Sequence, residues 1–213
     1  MQKFNFWKSK GFAPRVIYDI GANIGEWTTE CKRYFPTADY FLFEAFADNQ
    51  SKNIHPNYHV VLLDKQDNEI KPFYCTKGQF NTGNSMYREL TKHFSGDQYN
   101  TMYIPTKTLD TFVKEREIPF PDFIKIDVQG GELDVLKGGQ ACMQHAQMIL
   151  LEVSIHQYNQ QSPLFAEVIQ YMDTHGFEMI DMIDQHHIDS YLAQLDILFT
   201  KKGSGFRREN FYG

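Results

Sequence analysis

Val16-Ile17-Tyr18-Asp19-Ile20-Gly21-Ala22-Asn23-Ile24-Gly25 joins an apolar run to a glycine turn, and the stretch that follows, Glu26–Phe35, has helical character. Strand, glycine turn and helix in that order predict the opening of an α/β sheet. Gly21 lets the backbone turn tightly, and Gly25 allows a ligand or the helix to come close. A dinucleotide fingerprint would need Gly-x-Gly-x-x-Gly, with a pyrophosphate on the helix N-terminus. Here Asn23 replaces the second glycine and the acid Glu26 opens the helix. An acid at that place repels pyrophosphate, so the turn suits a ligand without phosphates.

The same alternation runs through the rest of the chain. Tyr40–Glu44, His59–Leu63, Phe123–Asp127 and Met148–Val153 read as the second to fifth strands, and Phe177–Ile180 and Leu195–Thr200 as two more. Leu164–Met172 has helical periodicity, with Gly176 as its stop. Near-continuous apolar strands separated by helices predict a mostly parallel sheet covered on both faces. No repeat or linker divides the 213 residues, so the reading is one domain with its core at about 14–201. With so little outside that core, the chain is also read as a domain that could be excised from a longer multidomain protein. The least regular segment, Thr76–Thr101, is rich in Gly, Asn, Ser and Thr and too long for an ordinary connection. Its Asn81–Ser85 portion is expected to act as a lid near an acceptor.

Composition excludes several classes. With 42% hydrophobic and 23% charged residues, 18 Phe and 12 Tyr, the chain is not disordered. No apolar run approaches the ~20 residues needed to cross a bilayer. A net charge of −6 lacks the basic excess that replaces phosphate counterions, which argues against nucleic acid as a partner. Cys31, Cys75 and Cys142 are odd in number and widely spaced, fitting neither a disulfide framework nor a zinc site. A cytoplasmic or other reducing compartment is expected.

Glu44 stands at the carboxyl end of the second strand, 19 residues after Gly25, where an acid can accept from both ribose hydroxyls of a nucleoside. Asp64, after the third strand, could accept from an adenine amino group. Asp127 ends the fourth strand, with Lys125 two positions before it on the same sheet face. Glu132 opens the next helix, where its charge suits the dipole.

These residues, with Thr108-Leu109-Asp110 and above all Phe123-Ile124-Lys125-Ile126-Asp127-Val128-Gln129-Gly130-Gly131-Glu132, resemble the FkbM-type methyltransferases. The similarity runs from about Val16 to Thr200. One departure is Ala45, where the family often has proline after the acid. The resemblance implies a class I, Rossmann-like seven-stranded sheet with helices on both faces and the last strand antiparallel. It implies an S-adenosylmethionine-dependent O-methyltransferase acting on a hydroxyl of a sugar, glycan or related metabolite. The implied cofactor residues are Asp19, Gly21, Ala22, Asn23 and Gly25 in the turn, Glu44 and Ala45, and Asp64. Asp127, Lys125 and His156 are the implied catalytic set. A divalent cation on Asp127 and Glu152 is the lesser alternative to a direct carboxylate base. His186-His187 read as a surface loop.

Two other readings share the architecture. A nicotinamide-dependent oxidoreductase would need the missing glycine and a Tyr-x-x-x-Lys-like pair. A non-catalytic cofactor-binding module would partner a glycan-processing enzyme. Acceptor identity and oligomeric state are not encoded in any motif.

Overall fold

A computed structural model describes residues 3–76, 82–90 and 99–207. Among the described residues ten strands form: β1 (Val16–Ile20), β2 (Asp39–Glu44), β3 (Tyr58–Val60), β4 (Leu62–Leu63), β5 (Ile70–Thr76), β6 (Tyr99–Lys107), β7 (Phe123–Ile126), β8 (Met148–Ser154), β9 (Phe177–Ile188) and β10 (Tyr191–Lys201). Seven of them make one sheet in the order β3-β2-β1-β7-β8-β10-β9. Strands β3, β2, β1, β7 and β8 pair in parallel, while β10 is inserted antiparallel between β8 and β9. This is the expected class I arrangement. The chain leaves β1 toward β2 and β3, then returns to β7 on the other side of β1. That reversal opens a crevice at the carboxyl ends of β1 and β7, where ligands of open α/β sheets bind.

Both faces of the sheet are covered, which explains strands that are apolar throughout. Ile17, Leu42, Phe123, Leu150 and Leu198 pack against helices α1 (Lys3–Ser9) and α2 (Glu26–Cys31) and against Phe12 and Phe35. On the opposite face Tyr18, Phe43, Ile124, Ile149 and Ile197 pack against α3 (Leu109–Glu115), α4 (Glu132–Gly138), α5 (Gln140–His145) and α6 (Phe165–Thr174). Helix α1 was not expected from sequence. It buries Phe4 and Trp7, so packing begins ahead of residue 14. Cys31, Cys75 and Cys142 are all free and buried.

The third expected strand is split. Tyr58–Val60 pairs with β2, the Val61 N–H still donates to the Glu44 carbonyl, and Leu62–Leu63 then turns away to pair with β6. Strands β4, β6 and β5 form a second, three-stranded sheet. Two of these were illegible because each carries a proline, Pro72 or Pro105, and β6 is mostly exposed. The irregular segment is therefore narrower than Thr76–Thr101. Of the expected lid, Asn81 lies outside the described residues. Ser85 bridges to Tyr74 of β5, and its hydroxyl donates to the Val128 and Gln129 carbonyls.

Candidate functional site

The Gly21–Gly25 turn leaves β1 with Gly21 at φ 73°, Asn23 at φ 49° and Gly25 at φ 85°. The Gly21 and Ala22 N–H groups both donate to the Phe43 carbonyl, pinning the turn to the end of β2. The left-handed Asn23 is held from three sides. Its N–H donates to Glu44 Oε2 at 2.8 Å, its carbonyl accepts from the Tyr58 hydroxyl at 2.6 Å, and its Oδ1 accepts from Asn49 at 2.8 Å. Glu44 Oε1 accepts from the Phe46 N–H at 2.8 Å. Each oxygen of Glu44 thus holds one N–H and keeps a lone pair for a further donor. Burial pushes the Glu44 carboxyl up, and the Phe46 and Asn23 N–H groups oppose that shift. Gly21, Ala22 and Asn23 share with Glu44 and Ala45 a cleft of about 970 Å³, counted to its open mouth, with Val61, Leu62, Leu63 and Phe73 as its apolar wall; Gly25 does not line it and packs against His55 and Asn53. Thr82, Asn84 and Met86 of the expected lid region also line it.

Asp19 is not in that cleft. The pairing of Asp19 with Lys125 sets it one residue below the end of β1, fully buried. There its Oδ2 accepts from the Thr28 hydroxyl at 2.7 Å and its Oδ1 lies 3.2 Å from Lys125 Nζ. Asp19 therefore supports the floor and does not line the cleft. Lys125 is buried beside it. Its amine lies 3.4 Å from Asp127 Oδ2 and donates to the Gly21 carbonyl at 3.1 Å. Burial works against the charge, but Asp19 and Asp127 outweigh it and hold the ammonium above its usual range. A permanently charged lysine takes no proton. It ties Asp127 to the glycine turn.

Beyond β7 the chain makes a tight loop whose geometry is set by two acids and an amide. Gln129 sits at φ 57°, and its Nε2 donates to Asp127 Oδ1 at 2.8 Å and Glu152 Oε2 at 2.6 Å. Its Oε1 accepts from the Tyr158 hydroxyl at 2.8 Å. Burial raises Asp127, but Lys125 and Gln129 outweigh it and hold the carboxyl below its usual value. Glu152 is pushed well up by burial and then by Asp127, Glu132 and Asp196. The two acids are therefore pushed in opposite directions, Asp127 down and Glu152 up.

Glu132 shapes the same loop. Its Oε1 accepts from the Val128 and Gly130 N–H groups, each at 3.0 Å. Burial pushes its carboxyl up to about 7 from 4.5. A raised acid stabilises the fold in its protonated form; that contribution is complete below pH 4.5 and is lost as pH rises through 7. A glutamine in its place would keep the acceptor without the charge. Glu132→Gln should therefore melt with the parent at about pH 4 and above it at about pH 8.5, by on the order of 3 kcal/mol. Parallel melting curves at both pH values would show that Glu132 does not titrate in this range.

Asp64 and His156 are not brought to the site. Asp64 is buried outside the cleft, 3.4 Å from Lys71 and beside Tyr87 and Asp134 in a separate depression. His156 is exposed and lines none of these depressions. His186, expected in a loop, lies instead on β9, with Nε2 3.6 Å from Asp196 Oδ1. Ligand atoms of Glu152, His186 and Asp196 fall within 4.8 Å of one another. Sequence reading also missed Trp27, which follows the turn and lines both the cleft and its neighbour. An aromatic directly after a glycine turn was the available signal.

With this geometry in place, the chain can be compared with known proteins. Residues 19–179 match the Methyltransferase FkbM domain. The chain belongs to the FkbM methyltransferase family. Among curated proteins, this FkbM chain is 26% identical over 142 residues to the hexuronic acid methyltransferase AglP of Haloferax volcanii, covering 65% of itself and 55% of that protein. Among solved structures, a methyltransferase FkbM from Methylobacillus flagellatus superposes with TM-score 0.54 at 15% identity, over 86% of this chain and 43% of that one. Magnesium protoporphyrin IX methyltransferase from Synechocystis, solved with bound SAM, gives TM-score 0.51 at 9% identity over 94% and 76%. The FkbM chain thus spans about half the length of its first relatives. At these identities the structural likeness carries the fold alone.

The FkbM motifs outside the cleft have structural causes. Thr108 caps α3 through the Thr111 N–H, and Asp110 accepts the Ala141 and Cys142 N–H groups at 2.8 and 3.0 Å, fixing the start of α5. A Cβ at Gly138 would stand 2.2 Å from the Asp64 carbonyl, so glycine there lets α4 close against the end of β4. No helix among the described residues is long and apolar enough to cross a membrane.

Proposed function

We propose that this chain transfers the methyl group of S-adenosylmethionine to a hydroxyl of a sugar, glycan or related metabolite. The observation that carries this reading is one continuous cleft with Glu44 at its wall and Asp127 at its rim. Glu44 has an oxygen lone pair on each side for the two ribose hydroxyls. The apolar wall of Val61, Leu62 and Leu63 offers a face to an adenine ring. Asp127 and the surrounding acids suit a sulfonium cation. The acceptor oxygen attacks the methyl carbon as the carbon–sulfur bond breaks, and the hydroxyl proton passes to Asp127, leaving a methyl ether and S-adenosylhomocysteine. Lys125 and Gln129 position Asp127 for that step, and holding the acceptor in line supplies much of the acceleration. The similarity to a hexuronic acid methyltransferase supports a sugar as acceptor.

Glu44→Ala tests the cofactor half of the reading. Hydrogen bonds to a charged group contribute about 1.5–3 kcal/mol each, so S-adenosylhomocysteine affinity should fall more than tenfold. Calorimetry on a variant with parental circular dichroism measures it, and unchanged affinity would remove Glu44 from the cofactor site. Mass-spectrometric detection of methyl transfer across a panel of neutral and uronic sugars tests the acceptor half.

A further inference from the structure

Next to the cofactor cleft lies a second depression that shares Glu26, Trp27, Lys125 and Asp127 with it. Its far side is built by three adjacent strands. Glu152 of β8 pairs with Asp196 of β10, and Asp196 pairs with Asp184 of β9. His186 follows Asp184 by two residues, so its side chain falls on the same sheet face. Glu26, Asp127, Glu152, Asp184 and Asp196 thus line one depression. Among its described lining residues the one permanent cation is Lys125, which is already shared between Asp19 and Asp127. The acids are left with excess negative charge.

We propose that Glu152, His186 and Asp196 bind a divalent metal ion. Their ligand atoms, one imidazole nitrogen and two carboxylate oxygens, converge within 4.8 Å. The 3.6 Å from His186 Nε2 to Asp196 Oδ1, an ion pair while the imidazole is protonated, is longer than a good hydrogen bond. It suits two ligands of one ion, since bonds of about 2.0–2.2 Å place neighbouring ligand atoms roughly 3–3.5 Å apart. His186 is half exposed and can rotate to close the remaining gap. One imidazole with two carboxylates favours Mn²⁺, Fe²⁺, Co²⁺ or Zn²⁺ over the all-oxygen ions Ca²⁺ and Mg²⁺. The site differs from the pair expected from sequence: Glu152 is kept, while His186 and Asp196 stand in place of Asp127. Three protein ligands leave coordination positions free, and Asp127 lines the same depression. There, on the reading proposed above, the ion takes two neighbouring oxygens of the acceptor, and an acidic depression can then hold an anionic sugar such as a uronate.

Titration of the full chain with Mn²⁺ at about pH 7.5, followed by loss of the free-ion electron paramagnetic resonance signal, tests this without cofactor or acceptor. One saturable site per chain is expected. His186→Ala and Asp196→Asn should each weaken it at least tenfold, while S-adenosylhomocysteine affinity stays within twofold. His186 is exposed enough that its removal leaves folding intact. No saturable binding, or equal binding in the His186→Ala variant, overturns the site. Because the readout is metal binding, a failure to find any methylated sugar would leave the metal site itself untouched.

Discussion

Gly21→Ala should cost this protein at least ~3 kcal/mol of stability, a large effect for one methyl group. A Cβ at Gly21 would stand 1.7 Å from the Asp127 carbonyl oxygen and 2.7 Å from its carbon. Neither atom can yield cheaply. The Gly21 N–H donates to Phe43 and the Asp127 N–H donates to Ile20, so the ends of β1, β2 and β7 are tied together at this point. Gly21 also has φ 73°, where a side chain adds roughly 1–2 kcal/mol of its own. Gly176→Ala separates the two costs, because Gly176 has φ 83° and nothing within 4 Å of its Cβ position. For a chain of this size 1 kcal/mol shifts the melting temperature by about 2–4 °C, so Gly21→Ala should melt roughly 6–12 °C or more below the parent. Gly176→Ala should fall by less than half as much. Equal shifts would mean that the close approach of the turn to β7 is unimportant. Below its melting point Gly21→Ala should also bind S-adenosylhomocysteine poorly, because the displaced turn carries Asn23 away from Glu44.

Strands β1, β2, β7 and β8 were legible because they are buried on both faces, and nothing but an apolar run satisfies that position. The same logic left the polar ends of β9 and β10 unread, although the apolar part of each strand was expected. Strand β9 continues past the apolar Phe177–Ile180 into Asp181–Ile188, an edge strand whose polar residues face solvent or the acidic depression. His186 therefore looked like part of a loop. Its partners Asp196 and Glu152 reach it only through antiparallel pairing across β10, which no local spacing encodes. Glu44 could be placed from sequence because a strand end is a local feature. Asp19 was placed one step too high, since a shift of one residue along a strand moves a side chain from the rim to the interior. Asp64 lies away from the cleft for another reason: the chain bends at Val61, and the acid follows β4 toward Lys71.

Asp127→Asn should lower turnover by about 10²–10⁴-fold, the usual contribution of a positioned base, while S-adenosylhomocysteine affinity stays within a few-fold. Two acids compete for the role. Burial and the neighbouring acids push the Glu152 carboxyl up, whereas Lys125 and Gln129 hold Asp127 down despite its burial. The acid held down is the more readily ionised of the two, and an ionised carboxylate can accept from an acceptor hydroxyl at once. Asparagine is nearly the same size and can still accept from Gln129, but it takes no proton at neutral pH. Lys125 would keep Asp19 at 3.2 Å and the Gly21 carbonyl at 3.1 Å, so the fold should survive with a melting temperature within a few degrees. If Asp127 served only to hold the turn, affinity and melting temperature would fall together with the rate. Asp127→Glu distinguishes these further, because a displaced carboxylate restores part of a base's work and none of a turn's geometry. An Asp127→Asn variant as active as the parent would take this residue out of proton transfer and leave Glu152 as the group to test next.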